Sequence, residues 1–111
     1  MPGIYRQLIY HFVWSTRDRL PFITPEIERR LHRMIESKSR EMGCPVLAIN
    51  GTENHIHLLV QMNHNLSAAD FMQKVKGAST GFARKTLLQN GSFSWQHGYG
   101  SCNSPCLHLL F

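Results

Sequence analysis

Acidic residues are scarce in this chain of 111 residues: seven Asp and Glu stand against twelve Lys and Arg, for a formal net charge of +5. With an isoelectric point near 9.5, that imbalance favours a polyanionic partner. Long apolar runs are missing too, and none approaches the roughly 20 residues that a membrane span needs. The opening MPGIYRQLIYHF lacks a basic stretch, a clean apolar segment and a small-residue cleavage site. No signal peptide and no membrane partner are therefore expected, and the protein is expected to be cytoplasmic. Cysteine is limited to Cys44, Cys102 and Cys106, an odd number that does not suit a secreted disulfide framework. Charge of either sign is absent from Thr86 to Phe111, and the sequence closes on the apolar CLHLLF. What is present, at 42% hydrophobic residues, suits one globular domain.

Periodicity supplies the elements. Residues 4–16, IYRQLIYHFVWST, predict a long strand with Ile9, His11, Val13 and Ser15 on one face and Tyr10, Phe12 and Trp14 on the other. Arg17, Asp18, Arg19 and Pro21 read as a polar turn. A helix follows, with Thr24 at its N-cap, Pro25 at its first position and Glu26 and Glu28 in its first turn. Its apolar stripe is Ile27, Leu31, Met34, Ile35 and Met42, and Gly43 stops it. CPVLAING is a short strand with a turn signal at Asn50–Gly51, and ENHIHLLVQM is a third strand. Ser67 and Asp70 open a second helix that runs to about Leu88, with Phe71, Val75, Ala78 and Phe82 on its apolar stripe. Gly77 and Gly81 lie inside it, where each costs up to about 1 kcal/mol against alanine; close packing or a closely approaching nucleic acid would account for them. Residues 92–100, SFSWQHGYG, read as the last strand. The order β-α-β-β-α-β predicts an α+β, ferredoxin-like domain, an antiparallel sheet with both helices on one face and the other face open.

The third strand carries the chemistry. Alternation puts His55, His57, Leu59 and Gln61 on one face and Ile56, Leu58 and Val60 on the other. Two imidazoles at i and i+2 stand roughly 6 to 7 Å apart along a strand and can reach one ion. Imidazole is a frequent metal ligand, and two neutral ligands leave positions open on a divalent ion for a phosphate oxygen. The spacing alone more often marks two half-exposed strand histidines without a role, the more so in a chain with seven histidines. Three segments in order, YHFVWSTRDRLPFI, ENHIHLLV and SWQHGYG, resemble the HUH transposases of the single-tyrosine branch. That branch includes insertion-sequence-200-like transposases and the transposase-like proteins associated with REP elements. The resemblance spans roughly residues 5 to 100.

The resemblance implies a ferredoxin-like core, a homodimer, and binding of single-stranded or hairpin DNA. It also implies strand cleavage and rejoining in DNA transposition through a phosphotyrosine intermediate. His55 and His57 would be the metal ligands, holding Mg²⁺ or Mn²⁺ on the scissile phosphate. The family's nucleophilic tyrosine lies on a helix after the last strand. None of Tyr5, Tyr10 and Tyr99 occupies that place, so no catalytic tyrosine is identifiable. Residues 1–100 are expected to form the transposase-like domain and residues 101–111 an atypical tail, from a truncated or frame-shifted relative unable to cut alone. The alternative is a non-catalytic DNA-binding or regulatory dimerising module.

Arg17, Arg19, Lys74, Lys76, Arg84 and Lys85 have few acidic neighbours in sequence and are the expected DNA-binding residues. The basic residues of the first helix alternate with glutamates and read as a solvated, ion-paired face. Trp14 and Trp95 suit core packing or base stacking. His97, Cys102, Cys106 and His108 do not match a familiar structural-zinc spacing. His11 and His64 read as ordinary strand and loop residues.

Overall fold

The computed structural model describes residues 9–87 and 93–103. Strand β1 spans Ile9–Ser15, helix α1 Pro25–Glu41, β2 Val46–Gly51, β3 His55–Gln61, α2 Ala68–Phe82 and β4 Gly100–Asn103. The sheet order is β2-β3-β1-β4, and every neighbouring pair is antiparallel. β1 and β2 therefore run parallel on either side of β3, which requires a crossover, and α1 supplies it. β3 and β4 flank β1 in the same way across α2. This is the ferredoxin-like arrangement, with both helices on one face of the sheet.

Strand alternation makes the core. Along β3 the residues alternate between half-buried and buried from His55 to Gln61, with Ile56, Leu58 and Val60 turned inward. The register sets Phe12 opposite Leu58 and Trp14 opposite Ile56, so apolar side chains of both strands enter the same layer. Leu31 and Ile35 of α1 and Phe71, Met72 and Val75 of α2 close over them. Each such side chain contributes about 1.5–3 kcal/mol by leaving water. Phe12 is at the centre, its ring stacked on Phe71 at 5.3 Å and on Tyr10 at 5.7 Å. The same register sets Val13 opposite His57 and Ser15 opposite His55, on the face that the helices do not cover.

Several elements depart from their sequence patterns. Thr24 stands at the N-cap of α1, but its side chain makes no capping bond; its carbonyl accepts from the Ile27 and Glu28 amides instead. Ser67 does cap α2, accepting from the Asp70 amide at 3.1 Å. The α-helical part of α2 stops at Phe82, and Ala83–Leu87 widen into a π-turn; Leu88 lies outside the described residues. Its buried stripe is Phe71, Met72, Val75 and Ser79, so Ala78 and Phe82 are only half-buried. Ser79 and its counterpart Ser39 in α1 are tolerated inside because each hydroxyl donates to a carbonyl four residues earlier, Val75 and Ile35.

The predicted last strand over 92–100 is corrected. Among the described residues before Gly100 there, only Trp95 makes a bridge, to Thr16, while β4 begins at Gly100 and takes in Ser101–Asn103. Asn50 and Gly51 end β2 rather than forming the turn, which is closed by the Thr52 amide donating to the His55 carbonyl at 3.0 Å. Gly51 is required by close approach: a Cβ there would meet the His55 carbonyl oxygen at 2.3 Å. The mixed charges of α1 give two ion pairs among the described residues, Lys38–Glu41 at 2.8 Å and Arg40–Glu36 at 3.8 Å. Both are solvent-exposed and worth little. No helix among the described residues is long and apolar enough to cross a membrane.

Two glycines are expected to respond in opposite senses. Gly51→Ala drives a methyl into backbone and should cost about 1–3 kcal/mol. Gly77, where a Cβ would meet nothing within 4 Å, should gain up to about 1 kcal/mol on substitution by alanine. Urea denaturation of both variants measures this, and a loss of stability in Gly77→Ala would contradict the open helix face. His32 gives a pH signature. It is half-buried, its Nε2 has no hydrogen-bond partner among the described residues, and burial lowers its pKa against the opposing pull of Glu28. The unfolded chain thus takes up this proton first, and stability falls as pH drops below the ordinary histidine value near 6.5. Replacing His32 by glutamine should flatten part of that fall in denaturation midpoints between about pH 7 and pH 5.

Candidate metal and nucleic-acid site

β3 delivers His55 and His57 to one side of the sheet, and β1 beside it supplies His11. The His55 and His57 rings stand 4.8 Å apart, centroid to centroid, inclined at 73°. They lean toward each other, closer than the strand repeat alone would set them. His55 Nδ1 is held at 2.8 Å from Thr52 Oγ1 and 3.0 Å from Asn54 Oδ1. An amide oxygen can only accept, so the proton sits on Nδ1 and Nε2 carries the lone pair. His57 Nδ1 meets His11 Nε2 at 3.2 Å, and the two rings stack at 5.3 Å.

Burial lowers the pKa of His57, and the neighbouring His55 lowers it further. His11 is lowered by burial and then by His57. Both shifts favour the neutral form of His11 and His57, and neutral imidazole is the form that ligates a metal. The donor set therefore fits a divalent ion: two imidazoles on a rigid strand, with Nδ1 of each already engaged by an outer partner. Among the described residues no group of three or more His, Cys, Asp or Glu side chains could hold a metal. His11 was read from the sequence as an ordinary strand residue; here it is fully buried and bonded to His57. Alternation had put it on the correct face of β1, and only the pairing of β1 with β3 reveals its partner.

The histidine pair lines a cavity of about 370 Å³, together with Ser15, Arg19, His97 and Tyr99. Two further hollows adjoin it around residues 94–97. Arg17 and Trp95 line one of about 340 Å³, and Lys76, Arg84 and Trp95 line another of about 360 Å³. Residues 93–98 form the divide, and both neighbours lace them in place. From α2, Lys76 Nζ donates to the Gln96 and Gly98 carbonyls at 2.6 and 2.9 Å, and Arg84 Nε donates to the Phe93 carbonyl at 2.7 Å. The Trp95 indole N–H donates to Ser79 Oγ at 2.9 Å. From the end of β1, the Arg17 amide donates to the Ser94 carbonyl, and the Ser15 carbonyl accepts from Gln96, both at 2.9 Å.

The six expected DNA-binding residues thus do not form one cluster. Arg19 shares the cavity of the histidines, Arg17 faces the second hollow, and Lys76 and Arg84 edge the third while also fastening the segment. Burial lowers the pKa of Lys76. Lys74 and Lys85 are exposed on the helical side and line none of these hollows. Asp18 and Arg19 both adopt left-handed backbone, with φ of 54° and 56°. The Asp18 amide donates to Gln96 Oε1 at 3.0 Å, which holds this turn against the same segment. Trp14 is buried, and its ring meets Trp95 edge-on at 5.7 Å. Tyr10 packs on the core, and Tyr99 lies just before β4 with its ring edge-on to Phe12 at 5.7 Å. Tyr5, Cys106 and His108 lie outside the described residues.

The open face of this ferredoxin-like sheet presents a histidine pair beside basic hollows. The family model described as "Transposase IS200 like" matches residues 4–104, and the chain belongs to that family. It is 27% identical over 77 residues to the ISDra2 transposase TnpA of Deinococcus radiodurans, a match covering 69% of this chain. The chain spans 55% of the length of that curated relative. Among solved structures it is similar to a protein from Deinococcus radiodurans R1 assigned as a transposase. There the TM-score is 0.83 at 21% identity, covering 93% of this chain and 84% of the other. It is also similar to a REP-associated tyrosine transposase bound to a REP hairpin. That TM-score is 0.66 at 14% identity, covering 90% of this chain and 58% of the other. These likenesses agree with the ferredoxin-like fold.

The lacing has a measurable consequence. Lys76→Ala removes two charge-assisted bonds from the 93–98 segment, each typically worth about 1.5–3 kcal/mol. The Gln96 amide, bonded to the Ser15 carbonyl, is then expected to exchange with deuterium about tenfold faster or more, since 1.4 kcal/mol is a factor of ten. Exchange at the wild-type rate would show that Lys76 does not secure the segment.

Proposed function

We propose that this chain binds hairpin or single-stranded DNA with His55 and His57 holding a divalent ion, Mg²⁺ or Mn²⁺, against a phosphate of the strand. The observation that carries this reading is the cavity of about 370 Å³ that brings both histidines together with Arg19 and His97. A bound ion would supply Lewis-acid polarisation of the phosphodiester. The chain's own groups do the rest. Thr52 and Asn54 fix the His55 tautomer, and His11 steadies His57. Arg19 offers a guanidinium suited to phosphate oxygens at the same cavity, and Arg17, Lys76 and Arg84 extend positive charge into the adjoining hollows. Lys74 and Lys85 add further positive charge on the helical side.

The family reaction to which this arrangement belongs is the strand cleavage and rejoining of DNA transposition, and this chain, a homodimer with no identifiable catalytic tyrosine, does not cut alone. The hairpin held by the REP-associated neighbour supports the choice of DNA structure. Neither described tyrosine stands on a helix: Tyr10 lies in β1, and Tyr99 precedes β4. That observation favours a second reading, a DNA-binding and dimerising regulator without cleavage of its own.

A labelled hairpin with a single-stranded flank, titrated with and without Mn²⁺, tests both. Binding is expected at low salt and should weaken as salt rises, and Arg19→Ala should reduce the slope of log K against log salt by about 0.7–0.9 if one phosphate contact is lost. His55→Ala and His57→Ala should abolish the Mn²⁺-dependent increment and leave metal-free binding unchanged. A covalent protein–DNA adduct on denaturing gels would reject the regulator, whereas absence of any hairpin binding would reject both readings.

A further inference from the structure

One side chain touches both halves of the proposed site. The Asn54 amide oxygen accepts from His55 Nδ1 at 3.0 Å, and its amide nitrogen donates to the Arg19 carbonyl at 3.4 Å. These are the two ends of a single planar group, so neither bond can shift without turning the other. Asn54 is itself pinned. Its backbone carbonyl accepts from the Thr16 amide at 2.8 Å, and Thr52 Oγ1 donates to its Oδ1 at 3.1 Å. The carbonyl it holds belongs to the turn with two left-handed residues, Asp18 and Arg19. Left-handed backbone at non-glycine residues is disfavoured and persists only when its surroundings over-determine it. Thr16 Oγ1 also donates to the Leu20 carbonyl at 2.7 Å, closing the turn from its other side.

We propose that Asn54 is a positioning residue that couples the orientation of His55 to the backbone of the Arg17–Arg19 turn. Ion binding at His55 and presentation of Arg17 and Arg19 to a phosphate are then one event. With Nε2 engaged by an ion, the His55 Nδ1–H would be a stronger donor to Asn54 Oδ1. The rotation this fixes holds the amide nitrogen on the Arg19 carbonyl. The inference rests on the reading of His55 as a metal ligand.

Three variants separate the possibilities: Asn54→Ala, Asn54→Asp and His55→Ala. Asn54→Asp keeps an acceptor for His55 and loses the donor to Arg19. Two quantities are read, Mn²⁺ affinity by calorimetry and amide hydrogen exchange of residues 18–20 with and without Mg²⁺. In the wild type, Mg²⁺ is expected to slow exchange across the turn. Asn54→Ala should weaken Mn²⁺ binding about 10- to 100-fold, the usual range for an outer-shell partner, and remove the effect of Mg²⁺ on the turn. Asn54→Asp should bind Mn²⁺ as well as the wild type or better, yet show no slowing of the turn. If Asn54→Ala does not fold, the split between affinity and exchange in Asn54→Asp decides the matter alone. Wild-type affinity in Asn54→Ala, or a turn that still slows with Mg²⁺ in Asn54→Asp, would overturn the proposal. Loss of His55 without effect on Mn²⁺ binding would instead overturn the metal reading on which it stands.

Discussion

The antiparallel pairing of β1 with β3 is the constraint from which the rest of the molecule follows. Seven residues of each strand are matched, from Ile9 with Gln61 to Ser15 with His55. A strand's faces alternate with period two, so a slip of one residue would turn Ile56, Leu58 and Val60 outward and drive both site histidines into the core. That alternative buries two imidazoles and exposes three aliphatic side chains, and it is strongly disfavoured. The pairing therefore specifies core and site together. It also brings His11 diagonally against His57, which no local feature of either strand would arrange.

Segment 93–98 shows a different kind of construction. It has little regular structure and is kept in place by side chains reaching from α2 and by backbone bonds from the end of β1. Cations that a reading of charge assigns to DNA are partly used for this. Lys76 gives two of its three N–H donors to carbonyls, and the Arg84 guanidinium spends its Nε on another. Positive charge in such a place satisfies carbonyl acceptors and still raises the local electrostatic potential.

Much of the fold was legible in the chain. Alternation in β1 and β3, the Pro25 and Gly43 boundaries of α1 and the Ser67 cap of α2 are local signals with local causes, and they gave the element order and topology. The last strand misled because Phe93 and Trp95 look like strand residues, but their side chains fill the space beside Phe22 and Trp14 while the ladder waits until Gly100. The stripe of α2 misled because Ser79 can enter the interior by donating to its own helix, which a polar residue type does not announce. At the site, His55 and His57 were legible from spacing and from the resemblance of three segments. His11, Asn54 and Gln96 were not, since their roles depend on partners 46, 35 and 78 residues distant.

The turn at Asp18 and Arg19 bears on how the molecule comes apart. Two adjacent residues in sparsely populated backbone cost of order 1–3 kcal/mol each, offset by contacts to Gln96, Thr16 and Asn54. Three of the tethers across this boundary, at Asp18, Arg17 and Ser15, run to residues 94–96. Loosening either side releases strain stored in the other, so the turn and the 93–98 segment form one cooperative opening unit. Phe93 and Trp95 anchor that unit in the core, whereas residues 17–20 and 96–98 are exposed, and exposed regions of this kind open below the global unfolding free energy. The rim of the cavity can therefore open and reclose while the β1–β3 ladder that carries the histidines stays intact.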